Sequence, residues 1–501
     1  MSDTSSASAP HTVIRDQDQQ VSSEHRVTLD GQTITYQATA GHMVFDDRHG
    51  EPGASLFYVA YTVPSQDGRP RPLSFFFNGG PGSPTTFLLL ASVAPVRLET
   101  AESAPTPAAP YSVVENPHSL LDRSDLVFID APGTGFSQLL SESAKRDFWG
   151  TDEDVRAFAD FIKRYVSRND RWNSPKYIVG ESYGTMRGAA LARVLQDQDI
   201  AINGLVLVSS ILNFGERIAR TYQHYIGLLP SYALTARYHG KANGQRELEA
   251  LALEARDFAR GDFAYALASG HSLTDAERQR IAQRTAEFIG LPADYIAAAH
   301  FRIEPDRYCK ALLREQGSIL GFYDARFLGA DLDAVGETAG YRVDSVFTGS
   351  AFHSVANDYI RRVLGYRPDQ ERLHRGRIDP HKNDWDWSHS LPDSAVNHWR
   401  RLPYANSIAD LAHVLVRNPN LKVLVANGYY DLCTPYFQAE FDIDHLLLPA
   451  ALRQNVAFRY YGAGHMMYLN LPSLVALKAD LARFFDLPAS ELASLDARPQ
   501  P

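Results

Sequence analysis

Only two cysteines, Cys309 and Cys433, stand in 501 residues, far apart along the chain. A disulfide framework is therefore excluded as the device that holds the fold together. No apolar run approaches the roughly 18 residues that a membrane-spanning helix needs. Positive charge is in deficit as well. Lys and Arg total 49 against 59 Asp and Glu, a formal net charge of −10, which argues against a nucleic-acid partner held through phosphates. No His/Cys/Asp/Glu cluster has metal-ligand spacing, and neither a metal nor a cofactor is expected. The first residues lack a basic stretch followed by an apolar one, so no secretory signal is read there. The cytoplasm is the default expectation, and a different true N-terminus would make the protein periplasmic or secreted. There is no internal repeat.

What is present is ordinary for a soluble globular chain of one large or two average domains, 45% hydrophobic and 22% charged. Residues 1–25 are rich in Ser, Gln and Asp and are expected to be a disordered tail. An Asp30-Gly31 pair flanked by alternating apolar residues predicts a hairpin. Further strands are predicted at 56–63, 73–77, 126–129, 176–179, 205–208, 422–425 and 456–460. Between them Val155, Phe158, Ile162 and Val166 recur at helical spacing, with Thr151 as the expected cap, and residues 474–485 form a closing amphipathic helix. Strands alternating with helices imply a mostly parallel sheet covered on both faces. Between 215 and 400 this rhythm is lost and helical patterns dominate, at 246–268 and at 275–289, where Thr274 and Glu277 make a capping box. This region is expected to be a helical cap inserted in a core of 26–214 and 401–488, with 489–501 as a C-terminal tail. Residues 101–110 are expected to be a surface loop, and Asp384-Trp385-Asp386-Trp387 an exposed or site-facing one.

The chemistry concentrates at strand ends. Gly180-Glu181-Ser182-Tyr183-Gly184 follows the 176–179 run and precedes a helical stretch. Strand, glycine-flanked turn and helix make the elbow that raises a serine nucleophile above a sheet. Such a serine needs a base and an orienting acid, in the chain order Ser, Asp or Glu, His. Asp431 follows the 422–425 run and His465 the 456–460 run, which places both at carboxyl ends of parallel strands. Oxyanion donors need a backbone turn, and Asn78-Gly79-Gly80-Pro81-Gly82 provides one after 73–77. The same turn is not a phosphate loop, because no Gly-Lys-Ser/Thr follows it.

With Asp130-Ala131-Pro132-Gly133-Thr134-Gly135-Phe136-Ser137 and Ala463-Gly464-His465-Met466, these segments closely resemble the serine carboxypeptidases, in the family's order, over about 45–215 and 400–486. The resemblance implies an α/β-hydrolase fold and an acyl-enzyme route, with Ser182 as nucleophile, His465 as general base and acid, and Asp431 as orienting carboxylate. It implies an oxyanion hole from the N–H groups of Gly80 and Tyr183. It further implies that Asn78, Gly79 and Glu181 hold the terminal carboxylate of a peptide, the one partner expected. Monomer and homodimer stay open. Two carboxylates this close cannot both ionise, so Glu181 must share a proton with the substrate; otherwise Glu181 is a structural residue of the elbow. The chain departs from the family at Ser83, where a Cys is usual, at Phe76 in place of Trp, and in having no family disulfides. Cys433, two residues past Asp431, is either near the site and reactive or buried and structural. An esterase or acyltransferase could use the same triad.

Overall fold

The computed structural model describes residues 17–64, 68–102, 104–368, 384–392 and 400–498. Its centre is one twisted sheet of β1 (Gln19–Leu29), β2 (Gln32–Asp46), β3 (Pro52–Thr62), β4 (Leu73–Phe77), β5 (Asp125–Ile129), β6 (Lys176–Glu181), β7 (Gly204–Val208), β8 (Lys422–Gly428) and β9 (Val456–Tyr461). In space the order is β1-β2-β3-β5-β4-β6-β7-β8-β9, with a short strand, Gln138–Leu139, beside β3. Pairing is antiparallel from β1 to β3 and between β3 and β5, and parallel from there to β9. Every residue of β4, β5, β6, β7 and β8 is buried, as strands covered on both faces must be. From β2 onward this is the α/β-hydrolase sheet, with its second strand antiparallel and its third and fourth exchanged in space.

The hairpin turns at Asp30 and Gly31, both with positive φ (50° and 78°), the backbone of the two-residue turn that Asp-Gly favours. The preceding strand is longer than composition implies. Residues 19–25, placed in the tail above, pair with β2 from Gln19↔His42 onward. The ladder satisfies their backbone groups, so a polar sequence costs little here. Residues 1–16 lie outside the described part. The expected C-terminal tail is also partly ordered. Ala489–Leu495 is a tight helix whose Leu492 and Leu495 are buried, and the Ala497 N–H donates to the Phe458 carbonyl (2.9 Å).

One core layer lies under the helices Thr151–Arg168 and Tyr183–Asp197 and another under Leu471–Asp486. Gly150, not Thr151, caps the first helix. Thr151 is already helical and spends its N–H and hydroxyl on the Asp386 carbonyl (2.8 and 3.2 Å). The described part of the region 215–400 divides between two cores. Tyr222–Tyr238, Leu248–Phe258 and Asp275–Ile289, the last opened by the Thr274–Glu277 capping box, gather around Leu228, Leu251, Phe288 and Tyr308 and reach Tyr429 and Tyr430 beyond β8. Val343–Asp358 packs instead on the sheet's own core. Phe352 meets Phe87 (4.6 Å between rings), and Tyr359 just beyond bonds Tyr61 (2.9 Å between hydroxyls).

Candidate active site

β6 ends in the buried Glu181, and the next residue, Ser182, takes φ 60° and ψ −129° before the helix Tyr183–Asp197 begins. A serine held at positive φ costs on the order of 1–3 kcal/mol and persists only where its surroundings impose it. They do so here. A Cβ on Gly180 would lie 2.1 Å from the Gly184 carbonyl oxygen, so the chain can double back this tightly only with glycine at that position. The Ser182 N–H donates to the Val208 carbonyl at the end of β7 (3.0 Å), and Ser182 is left half-buried.

The Asn78–Gly82 turn crosses directly over this elbow. A Cβ on Gly79 would fall 2.5 Å from the Tyr183 nitrogen and 2.7 Å from that of Gly184. The first N–H groups of a helix have no acceptor within it, so the turn is pressed against a row of unspent donors. Gly80, with φ +112°, is exposed while Asn78 and Gly79 beside it are buried. Gly80 thus stands one residue from the point where the turn meets the Tyr183 nitrogen.

Asp431 and His465 follow β8 and β9, whose end turns touch: a Cβ on Gly428 would lie 2.1 Å from the Gly464 carbonyl oxygen. Asp431 is fully buried and its oxygens are all engaged. Oδ1 accepts the N–H groups of Cys433 (2.8 Å) and Thr434 (2.9 Å), and Oδ2 accepts the Thr434 hydroxyl (2.7 Å) and pairs with His465 Nδ1 (2.7 Å). His465 is pinned by its backbone. Its N–H donates to the Tyr323 carbonyl (2.6 Å) and its carbonyl accepts from Ser209 Oγ (2.5 Å). Ser209 adjoins Val208, which holds Ser182, so serine and histidine hang on one peptide step at the end of β7. The Tyr323 ring lies 5.1 Å from the imidazole. Burial disfavours imidazolium here, but the Asp431 carboxylate outweighs it and holds His465 well above its ordinary value.

Glu181 points to the same place. Its Oε1 accepts from Asn78 Nδ2 (2.6 Å) and its Oε2 from the Tyr468 hydroxyl (2.5 Å). Burial dominates and pushes the carboxyl up to about 7, against the pull of His465 and of these two hydrogen bonds. Asn78 is itself fixed, its Oδ1 accepting from the Leu88 N–H (3.2 Å) and its carbonyl from Arg187 Nη1 (2.8 Å). Arg187 is fully buried against Asp154 (2.6 Å), with its guanidinium 4.3 Å from the Phe158 ring centre. It ties the elbow helix to the glycine turn.

Several of these groups escape sequence reasoning. Tyr468 and Thr434 sit three residues past His465 and Asp431, close enough to have been considered. Arg187 and Asp154 are separated along the chain, and nothing local marks them as a pair. The segment Asp384-Trp385-Asp386-Trp387, expected to be exposed or to face the site, has Asp384 and Asp386 exposed and its two tryptophans turned in behind the elbow. Trp385 is buried and, with Trp387, packs edge-on to the Tyr183 ring (5.8 and 6.3 Å). His389 anchors the segment between Asp152 (2.7 Å) and Asp410 (2.9 Å). Cys433 is half-buried, with its sulfur 3.6 Å from Arg217 Nη1.

Residues 29–231 match the family model for the serine carboxypeptidases. Similar curated proteins include serine carboxypeptidase-like 36 of Arabidopsis thaliana, 24% identical over 36% of this chain and 36% of that protein. Another is the pheromone-processing carboxypeptidase kex1 of Aspergillus niger, 27% identical over 34% of this chain and 26% of that protein. The chain thus spans about a third of the length of the curated relatives it matches. Among solved structures, the proline iminopeptidase of Mycobacterium smegmatis aligns over 94% of this chain and 100% of its own, at 16% identity and a TM-score of 0.37. A monoglyceride lipase from Saccharomyces cerevisiae aligns over 89% and 94%, at 12% identity and a TM-score of 0.36. The strand order and the elbow at the end of β6 define the fold without them. Over residues 29–231 this chain is similar to the serine carboxypeptidases, and its strand order is that of an α/β-hydrolase sheet.

Proposed function

We propose that the protein is a serine-type carboxypeptidase, removing C-terminal residues from peptides through an acyl-enzyme. Ser182 Oγ attacks the last peptide carbonyl while His465 Nε2 takes its proton. Asp431 holds Nδ1 and so favours the imidazolium that forms. The N–H groups of Gly80 and Tyr183 receive the developing oxyanion. His465 then delivers the proton to the leaving amine, the C–N bond breaks, and water repeats the sequence on the ester.

The observation that carries the word carboxypeptidase is Glu181, buried beside Ser182 and held up to about 7. A carboxylate ligand meets a carboxyl group favourably only when one of the two is protonated. Below pH 7 Glu181 has that proton. Asn78 Nδ2 can only donate, so the acid O–H is left to Tyr468 or to the substrate. Against this stands the engagement of both Glu181 oxygens in the free protein, which favours a second reading. Glu181 would then merely brace the elbow, and the triad would serve an esterase or acyltransferase. Glu181→Ala and Asn78→Ala separate the two: on the first reading they cripple peptide hydrolysis and spare small neutral esters, and on the second both substrates lose alike. A fluorophosphonate that leaves the folded protein unlabelled at Ser182 would exclude both.

A further inference from the structure

Arg217 is a cation whose side chain reaches the Asp431 segment and which forms no ion pair among the described residues. It lies in the short helix Phe214–Ile218 that follows β7, and its side chain crosses to the segment that carries Asp431. There its Nη1 finds the Cys433 carbonyl (3.3 Å) and sulfur (3.6 Å), and its guanidinium lies 5.7 Å from the centre of the Phe322 ring. Among the described residues no acid is within ion-pair distance of it. The nearby acids are all spent. Asp431 has its four contacts, Glu216 takes Gln438 Nε2 (2.6 Å), Glu304 pairs with Arg220 (3.4 Å) and Asp324 with Arg326 (2.6 Å). Arg342, which overlies the same Phe322 ring, and two buried arginines elsewhere show the contrast. Arg187, Arg256 and Arg342 each have a carboxylate within 2.8 Å, from Asp154, Glu440 and Asp306. A half-buried arginine whose Nη1 is satisfied by a carbonyl and a thiol still has donors in a fixed planar fork, the geometry that suits a carboxylate.

We propose that Arg217 is a specificity residue that binds an anionic group of the substrate, so that the preferred substrates carry an acidic side chain next to the scissile bond. The inference takes the serine-hydrolase site above as given and assigns Arg217 a ligand distinct from that of Glu181. Glu181, neutral when it works, receives the chain's terminal carboxylate. Arg217, always charged, receives a second one. Tyr323 connects the two regions, since its ring faces His465 and packs edge-on against Phe322 (5.3 Å between centroids), the ring that the Arg217 guanidinium overlies.

The test compares substrates that differ only in charge. Peptide pairs with Glu against Gln at the last and at the penultimate position give one kcat/KM ratio each. Succinyl and butyryl p-nitrophenyl esters give a third that needs no peptidase activity. In the natural protein at least one ratio should favour the acid by about tenfold or more, as a charge-assisted hydrogen bond implies. Arg217→Met should bring that ratio to about one, Arg217→Lys should keep part of it, and Arg217→Glu should invert it. Ratios near one on all three pairs in the natural protein overturn the proposal, and that result needs no variant to fold. A ratio that survives Arg217→Met overturns it too. Failure on peptides alone, with an acidic preference kept on the esters, would fault the carboxypeptidase reading and leave Arg217 its role.

Discussion

Replacing Glu181 with Gln gives the sharpest handle on how the site meets a carboxylate. The glutamine keeps the shape and can donate N–H to a substrate carboxylate, but it cannot titrate. In the natural protein the carboxyl is raised from 4.5 to about 7, chiefly by burial. Above pH 7 the protonated fraction therefore falls about tenfold per unit, and by pH 9 only about one molecule in a hundred retains the acid form. KM for a peptide with a free C-terminus should rise in the same proportion, while KM for a neutral ester stays level. In Glu181→Gln the peptide KM should be flat from pH 5 to 9. Stability gives an independent reading. The folded protein holds this proton where the unfolded chain releases it. The contribution is whole below pH 4.5 and is lost as pH rises through about 7, a change of about 3 kcal/mol. His465, also raised, acts in the same sense at higher pH, so the difference between the natural protein and Glu181→Gln is the quantity to follow in denaturant titrations. A peptide KM that climbs equally in the variant would refute the assignment, because another group would then be titrating.

Three further outcomes follow from the geometry. Gly79→Ala drives a Cβ to within 2.5 Å of the Tyr183 nitrogen, and kcat should fall about 10²–10³-fold, the loss for one oxyanion donor; steady-state kinetics on a neutral ester would show it. Asp154→Asn leaves the Arg187 guanidinium buried without its counter-charge, and guanidinium chloride titration should find the protein about 3–5 kcal/mol less stable; an unchanged midpoint would contradict the claim that the pair is strongly coupled. Burial works to lower His389, but Asp152 and Asp410 outweigh it and raise it to about 9. Stability from this group is complete below pH 6.5 and lost as pH rises through about 9, at most about 3 kcal/mol, and His389→Gln should abolish that part of the pH dependence of the melting temperature.

The legible parts of this molecule are those written contiguously. The elbow around Ser182, the glycine turn and the strand runs each need a handful of consecutive residues, and the central strands are elements of five to seven residues built on shorter apolar runs. Asp431 and His465 could be placed because strand ends are where α/β sheets work. Side-chain competition was less visible. Thr151 looks like a cap and is drawn into the helix because Asp386, more than 200 residues away, takes its hydroxyl. Gln19–His25 has a disordered composition and becomes a strand because β2 is long enough to pair with it. The Arg187–Asp154 pair and the clamp on His389 are long-range matches of charge, for which a single sequence has no local signature.

The most direct test of the central claim is a mass-spectrometric time course on one peptide with a free C-terminus and the same peptide amidated. A ladder of single-residue losses from the free end is expected, with little or none from the amide and no ladder with Ser182→Ala. Internal cuts, or equal trimming of the free and amidated peptides, would contradict it.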